Sequence, residues 1–161
     1  MELSAAQEFR TAGPPDVAAI VALVNDAYQV EASFLRGPRT DEEEIASLLD
    51  TGGFLLAEGP VGLEGCIYVE PRGSVGYFGL LSVATIRQGR GLGRRLIAAA
   101  EAGLRGARCQ IVEILVVNLR KDLFPFYAAL GYAASGAAPF PESEESRLLH
   151  PVHFVVMRKA L

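Results

Sequence analysis

The chain has 161 residues, 50% of them hydrophobic and 21% charged, the composition of one globular domain with enough apolar surface for a single core. Its formal net charge of −4 and sequence pI of about 5.2 argue against non-specific nucleic-acid binding, whose footprint is a basic surface. Cys66 and Cys109 lie in or beside apolar runs at a spacing that fits neither a zinc site nor a disulfide framework, so reduced thiols, no metal and a cytoplasmic setting are expected.

The opening "MELSAAQEFR" has no apolar leader core, and no run approaches the ~20 apolar residues of a spanning helix, so no membrane partner is expected. "EFRTAGPPD" reads as a short strand around Phe9, broken by Gly13, Pro14 and Pro15. A helix from about Asp16 to Tyr28 follows, with Val17, Ile20, Val21 and Val24 at helical spacing. In "RTDEEEIASLLD", Thr40 with Glu43 three residues on forms a capping box for a second helix. The acids Glu42 to Glu44 suit the positive end of its dipole better than a metal.

From Gly53 the period shortens. "GFLLAEG", "GCIYVEP" and "VGYFGLLSVA" are strand-like runs divided by glycine and proline turns, an antiparallel meander. Next come a glycine-rich loop, the helix "GRRLIAAAEAGLRG", the buried strand "CQIVEILVVN", and a helix in "DLFPFYAAL" that Pro125 delays or kinks. "GYAASGAA" and "HPVHFVVMRKA" supply two last strands around the turn-rich "PFPESEES". The order β-α-α-β-β-β-α-β-α-β-β predicts an α/β (α+β) fold in one domain, residues 1–161: a mixed sheet of about seven strands flanked by about four helices.

The run "RQGRGLGRR", Arg87 to Arg95, places glycines at 89, 91 and 93 just before an apolar helix. A P-loop needs a lysine after its last glycine, and none follows Gly93. A dinucleotide fingerprint needs a third glycine where Leu96 or Arg94 stands, and its ribose-binding acid belongs at a strand end, whereas Glu113 is mid-strand. What remains is Gln88-x-x-Gly91-x-Gly93 opening a helix. Amides at a helix start have no internal partners, and glycines let a diphosphate approach them.

"LLSVATIRQGRGLGRRLIAAAE" resembles the acetyl-CoA-binding motif of the GNAT superfamily of acyl-CoA-dependent N-acyltransferases, and "VVNLRKDLFPFYAALGY" resembles that family's next motif. The resemblance spans Leu80 to Tyr132. It implies a mostly antiparallel, twisted sheet and a strand, here Leu81, Ser82 and Val83, whose backbone pairs with the pantetheine arm of acetyl-CoA. It further implies that the amides of Gln88, Gly89, Arg90, Gly91, Leu92, Gly93 and Arg94 hold the pyrophosphate, and that Asn118 contacts the cofactor arm. Tyr127 matches the family tyrosine that protonates the departing thiolate; its plain reading is an aromatic packing helix onto sheet. Glu113 stands five residues before Asn118, as does a catalytic glutamate in some family branches. A carboxylate buried in "IVEILVV" would be disposed to accept a proton; Glu70 and His153 are weaker candidates for that base. A homodimer is a family-level expectation.

The implied reaction moves an acetyl group from acetyl-CoA to a primary amine of a small molecule or peptide, by direct transfer in a ternary complex. The alternative is a non-catalytic acyl-CoA sensor. The acceptor site is expected from "YQVEASFLRGPRT" and "AAPFPESEES", with Tyr28, Phe34, Phe140 and the acids Glu31, Glu142, Glu144 and Glu145 suited to a cationic amine.

Overall fold

In the computed structural model, which describes residues 8–161, the strand-like runs join in one seven-stranded sheet, ordered β1-β2-β3-β4-β5-β7-β6. β1 (Arg10–Thr11), β2 (Gly53–Gly59), β3 (Gly62–Arg72) and β4 (Val75–Val83) pair antiparallel in succession. β5 (Ile111–Val117) runs parallel to β4, and β7 (His153–Ala160) lies antiparallel between β5 and the outer β6 (Ala133–Pro139). The leader reading of the N-terminus falls, for residues 1–7, outside the described residues. Among the described residues no helix is long and apolar enough to cross a membrane.

Helices cover both faces. α1 (Val17–Ala27) and α2 (Glu42–Thr51) bury Ile20, Val24 and Ile45 against Phe54, Cys66 and Tyr68. α3 (Leu92–Gly106) and α4 (Leu123–Ala129) bury Leu96, Ile97, Ala100, Leu104 and Tyr127 against Ile67, Val69, Phe78 and Ile114. Successive β3 residues therefore serve opposite cores, which is why "GCIYV" reads as an unbroken apolar run.

The helix starts differ in detail from expectation. Asp41, not Thr40, caps α2: its Oδ1 accepts the Glu44 N–H at 2.8 Å. Thr40 is held one step earlier because Asn25 engages both its backbone N–H and its carbonyl, at 2.9 and 3.1 Å. Pro125 neither delays nor kinks α4; it sits in the first turn, where a missing N–H costs no intrahelical bond.

Two features of β4 open the sheet. Its pairing with β5 consists of Val75↔Ile111, Gly76↔Val112 and Tyr77↔Glu113, then ceases. Just beyond, the β3–β4 register shifts at Cys66/Tyr68, and Leu80 takes a left-handed φ of 49°. Such a bulge bends and twists a strand, here away from its parallel neighbour. A bulky residue at that φ is held only by its surroundings. The Leu80 carbonyl accepts from Ser82 Oγ at 3.0 Å and from Cys66 Sγ at 3.8 Å, while its side chain is 92% removed from solvent in the α1-side core, being 8% exposed.

Candidate active site

A cavity of about 470 Å³ lies where β4 runs into α3, lined by Leu81, Val83, Gln88, Gly89, Gly91, Leu92, Gly93 and Arg94. Gly89 and Gly91 take φ of 78° and 80°, a conformation that costs other residues a steric clash. Gly91 is the N-cap of α3 and supplies no capping side chain, and no acid occupies the first turn. The first intrahelical bond runs from the Arg95 N–H to the Gly91 carbonyl at 3.1 Å. The amides of Leu92, Gly93 and Arg94 are thus left at the positive end of the dipole with no helical acceptor. A Cβ on Gly93 would enter the groove beside Val83 and Leu81, 3.8 and 3.9 Å from their side chains. This is a cradle suited to a diphosphate.

Within the loop, Gln88 Nε2 donates to the Val83 carbonyl at 3.1 Å and ties loop to strand. The arginines divide by role. Arg87, which also lines the cavity, pairs with Glu64 at 2.9 Å, and Arg95 pairs with Glu8, so both brace the loop. Arg94 lies over the Phe126 ring at 5.7 Å and lines the cavity; Arg90 is exposed and lines neither cavity.

On the other side of the β4–β5 opening is a cleft of about 350 Å³. Its outer walls come from the two segments expected to build an acceptor site, residues 28–40 and 137–146, and from Arg147 just after the second. They are joined by the Leu35↔Leu148 bridge and by Arg147, which donates to the Arg36 carbonyl at 3.0 Å and to that of Pro38. Phe140 stacks on Phe154 along one wall, their centroids 5.2 Å apart, and Tyr28, Tyr68 and Tyr77 also line the cleft. Phe34, expected here, is buried behind this wall in a small core with Leu35 and Val117. Of the late acids only Glu144 lines the cleft, and it is paired with Arg147; Glu142 and Glu145 lie outside.

Two carboxylates stand out. Glu31 is buried yet lines the cleft, and Arg120 Nη1 donates to its Oε2 at 3.1 Å. Burial pushes its carboxyl above the ordinary glutamate range despite the opposing pull of Arg39 and Arg120. For Glu70 the balance is reversed. Burial pushes it up, but hydrogen bonds from Arg72 and from Tyr68 Oη, the latter at 2.6 Å, hold it below the ordinary range.

Tyr28, Leu81, Leu123 and Tyr127 line both cavities, so Tyr127 stands where they meet. α4 presents it there, and its ring packs edge-on against Phe126 and Tyr132 with centroids 5.1 and 5.7 Å away. Burial pushes its phenol up to about 12, against the pull of Arg120.

Other expected residues lie elsewhere. Glu113 is not the buried carboxylate anticipated: it lines neither cavity and pairs with Arg158 Nη2 at 2.6 Å, its side chain 24% exposed. The cause is strand alternation, which turns Val112, Ile114 and Val116 to the α3 core and Glu113 to the other face, beside Arg158 of β7. Asn118 also lines neither cavity. Its Oδ1 accepts the His153 N–H at 3.0 Å and closes the end of β5 onto β7. Ser82 is buried with its hydroxyl on the bulge, so only its backbone is available to a ligand. His153 is an exposed strand residue. Arg39 and Arg120 escaped the sequence reading: neither "GPR" nor "NLRKD" carries a pattern that marks a site.

A family model described as an acetyltransferase (GNAT) domain matches residues 50–134. No curated protein matches the sequence. Among solved structures, the ribosomal-protein-alanine N-acetyltransferase of Brucella melitensis superposes with a TM-score of 0.74 at 19% identity, over 95% of this chain and 99% of that one. The ribosomal-protein-S18-alanine N-acetyltransferase of Escherichia coli gives 0.76 at 14% identity, over 94% and 92%. A nourseothricin acetyltransferase gives 0.72 at 19%, over 94% and 96%. At these identities the structures attest the fold, a mixed and mostly antiparallel sheet with helices on both faces. The family model covers the bulged strand, the glycine loop, α3, β5 and α4, the elements that build most of the first cavity and the inner wall of the cleft, and the chain belongs to the GNAT acetyltransferase family.

Proposed function

We propose that the protein transfers an acetyl group from acetyl-CoA to a primary amine while both are bound. The observation that carries this reading is the meeting of two cavities at Tyr127, one ending in unpartnered helix amides and the other in a partly charged cleft. The amides from Gly89 to Arg94 hold the pyrophosphate, and the free edge of β4 at Leu81 to Val83 receives the pantetheine arm. Holding both reactants in one opening supplies the orientation gain of an intramolecular reaction.

Acetyl-CoA supplies an activated acyl group. Glu31, ionised, takes a proton from the acceptor's ammonium, so a neutral nitrogen reaches the thioester. The N–C bond forms as the C–S bond breaks, and a backbone N–H of the bulged strand steadies the carbonyl oxygen. Tyr127 Oη donates to the departing sulfur, and the second nitrogen proton replaces the one it gives. A phenol with so strong a hold on its proton is a neutral donor throughout the cycle. Glu31 replaces Glu113 as the base in this scheme because Glu31 faces the cleft.

The test is release of the CoA thiol from acetyl-CoA across a panel of amines. Acceptor-dependent release is expected. Binding of acetyl-CoA without release for any amine would favour a sensor, and failure to bind CoA would overturn both readings.

A further inference from the structure

The charges of the acceptor cleft do not balance locally. Each of its carboxylates already has a partner: Glu31 has Arg120 at 3.1 Å, Glu144 has Arg147, and Glu44 accepts the Thr40 hydroxyl at 2.7 Å. Two of its arginines are likewise committed. Arg147 donates to two backbone carbonyls as well as Glu144, and Arg72 is bound to Glu70 while lying 4.3 Å over the Tyr77 ring. Arg39 is the exception. Its guanidinium lies over the Tyr28 ring at 5.4 Å, and its nearest carboxylate, on Glu44, is 3.8 Å away, too far for a hydrogen bond. Among the described residues no acceptor meets any of its N–H groups, although its side chain is only 32% exposed.

We propose that Arg39 binds the carboxylate of the acceptor, and that the acceptor is therefore a free α-amino acid or a close analogue with an anionic group beside its amine. This rests on the acetyl-transfer reading of the same cleft. A guanidinium set over a tyrosine ring, 5.4 Å from its centroid, still offers a planar fork that fits a carboxylate in bidentate fashion. Partial burial makes that interaction worth more than it is in open water. Glu31 lies in the same cleft and meets Arg120 through Oε2 alone, so a zwitterion finds a cation for its carboxylate and the Oε1 of Glu31 for its ammonium. The cleft, at about 350 Å³, falls at the small end of the ~300–1,000 Å³ range of small-molecule sites. A peptide N-terminus has an amide where the amino acid has its carboxylate, and would leave Arg39 unmatched.

The experiment compares kcat/KM for free L-amino acids, the matching L-amino acid amides and short peptides, by thiol release from acetyl-CoA. At least one free amino acid is expected to exceed its amide by about 10- to 100-fold, the scale of one charged hydrogen-bonded pair. In Arg39→Met that ratio falls towards one, through KM for the amino acid, with Arg39→Lys restoring part of it. Equal or better turnover of amides or peptides by the wild type, or a ratio untouched by Arg39→Met, would overturn the proposal. Calorimetry of the CoA-saturated protein separates this site from the chemistry. Arg39-dependent binding of amino acids but not amides, without turnover, would keep the carboxylate site and sink the transfer reading. Turnover of amines without a carboxylate preference would do the reverse.

Discussion

In the proposed reaction Tyr127 and Glu31 carry the chemistry, and each role predicts a distinct kinetic effect. Removing the phenol in Tyr127→Phe keeps the ring that fills the α3-side core. It should lower kcat by about 10²-fold, at the low end of general acid catalysis, with little change in KM for acetyl-CoA. For Glu31 the ionised form is the active one. Burial raises its carboxyl and Asp122 adds to that, while Arg39 and Arg120 oppose it. The rate should therefore climb with pH through a midpoint above the ordinary glutamate value, and Glu31→Gln should abolish that limb. Tyr127, near 12, should impose no alkaline fall below about pH 10. Glu113→Gln should leave kcat near wild type and cost under about 1 kcal/mol in denaturant unfolding, since it breaks only a partly exposed ion pair. The place of Tyr127 beside the cleft was legible in the sequence because it lies inside "FYAALGY", a local pattern that runs on to Tyr132. The surroundings of Glu113 were not: strand alternation puts it on a face, but only the tertiary pairing with β7 sets Arg158 beside it.

The bulged β4 and the amino-terminal turn of α3 do the positioning. Gly91→Ala forces a side chain into a left-handed backbone, at a cost of about 1–2 kcal/mol, and narrows the approach to the free amides. Calorimetry should show weaker acetyl-CoA binding, alongside a lowered thermal midpoint. Ser82→Ala removes the hydroxyl that holds the Leu80 carbonyl, so a loss of about 1 kcal/mol and a raised KM for acetyl-CoA are expected. Element order was readable throughout, because glycine or proline marks every junction but that between β5 and α4, where the polar run Asn118 to Asp122 makes the turn. The bulge was not readable. "GLLSV" carries no glycine at the left-handed position, and Leu80 adopts it only because Ser82, Cys66 and the α1-side core hold it there.

Both cores depend on the single sheet between them, and β7 is tied to α3 by Lys159, whose Nζ donates to both oxygens of the buried Glu101 at 2.7 and 3.0 Å. Replacing the lysine strands a carboxylate inside, so Lys159→Met should cost about 3 kcal/mol while kcat is retained, because neither residue lines a cavity. The joining of residues 28–39 to 140–147 over the acceptor cleft is a contact between segments more than a hundred residues apart, and no local pattern encodes it. The sequence could nominate both loops as acceptor-facing but not say which of their charges were already spent on each other. A crystal structure with CoA bound tests both cavities at once. The pyrophosphate is expected on the amides of Leu92, Gly93 and Arg94, with the sulfur within about 3.2 Å of Tyr127 Oη. A sulfur that ends away from Tyr127, or a pyrophosphate seated elsewhere, would contradict the proposed reaction.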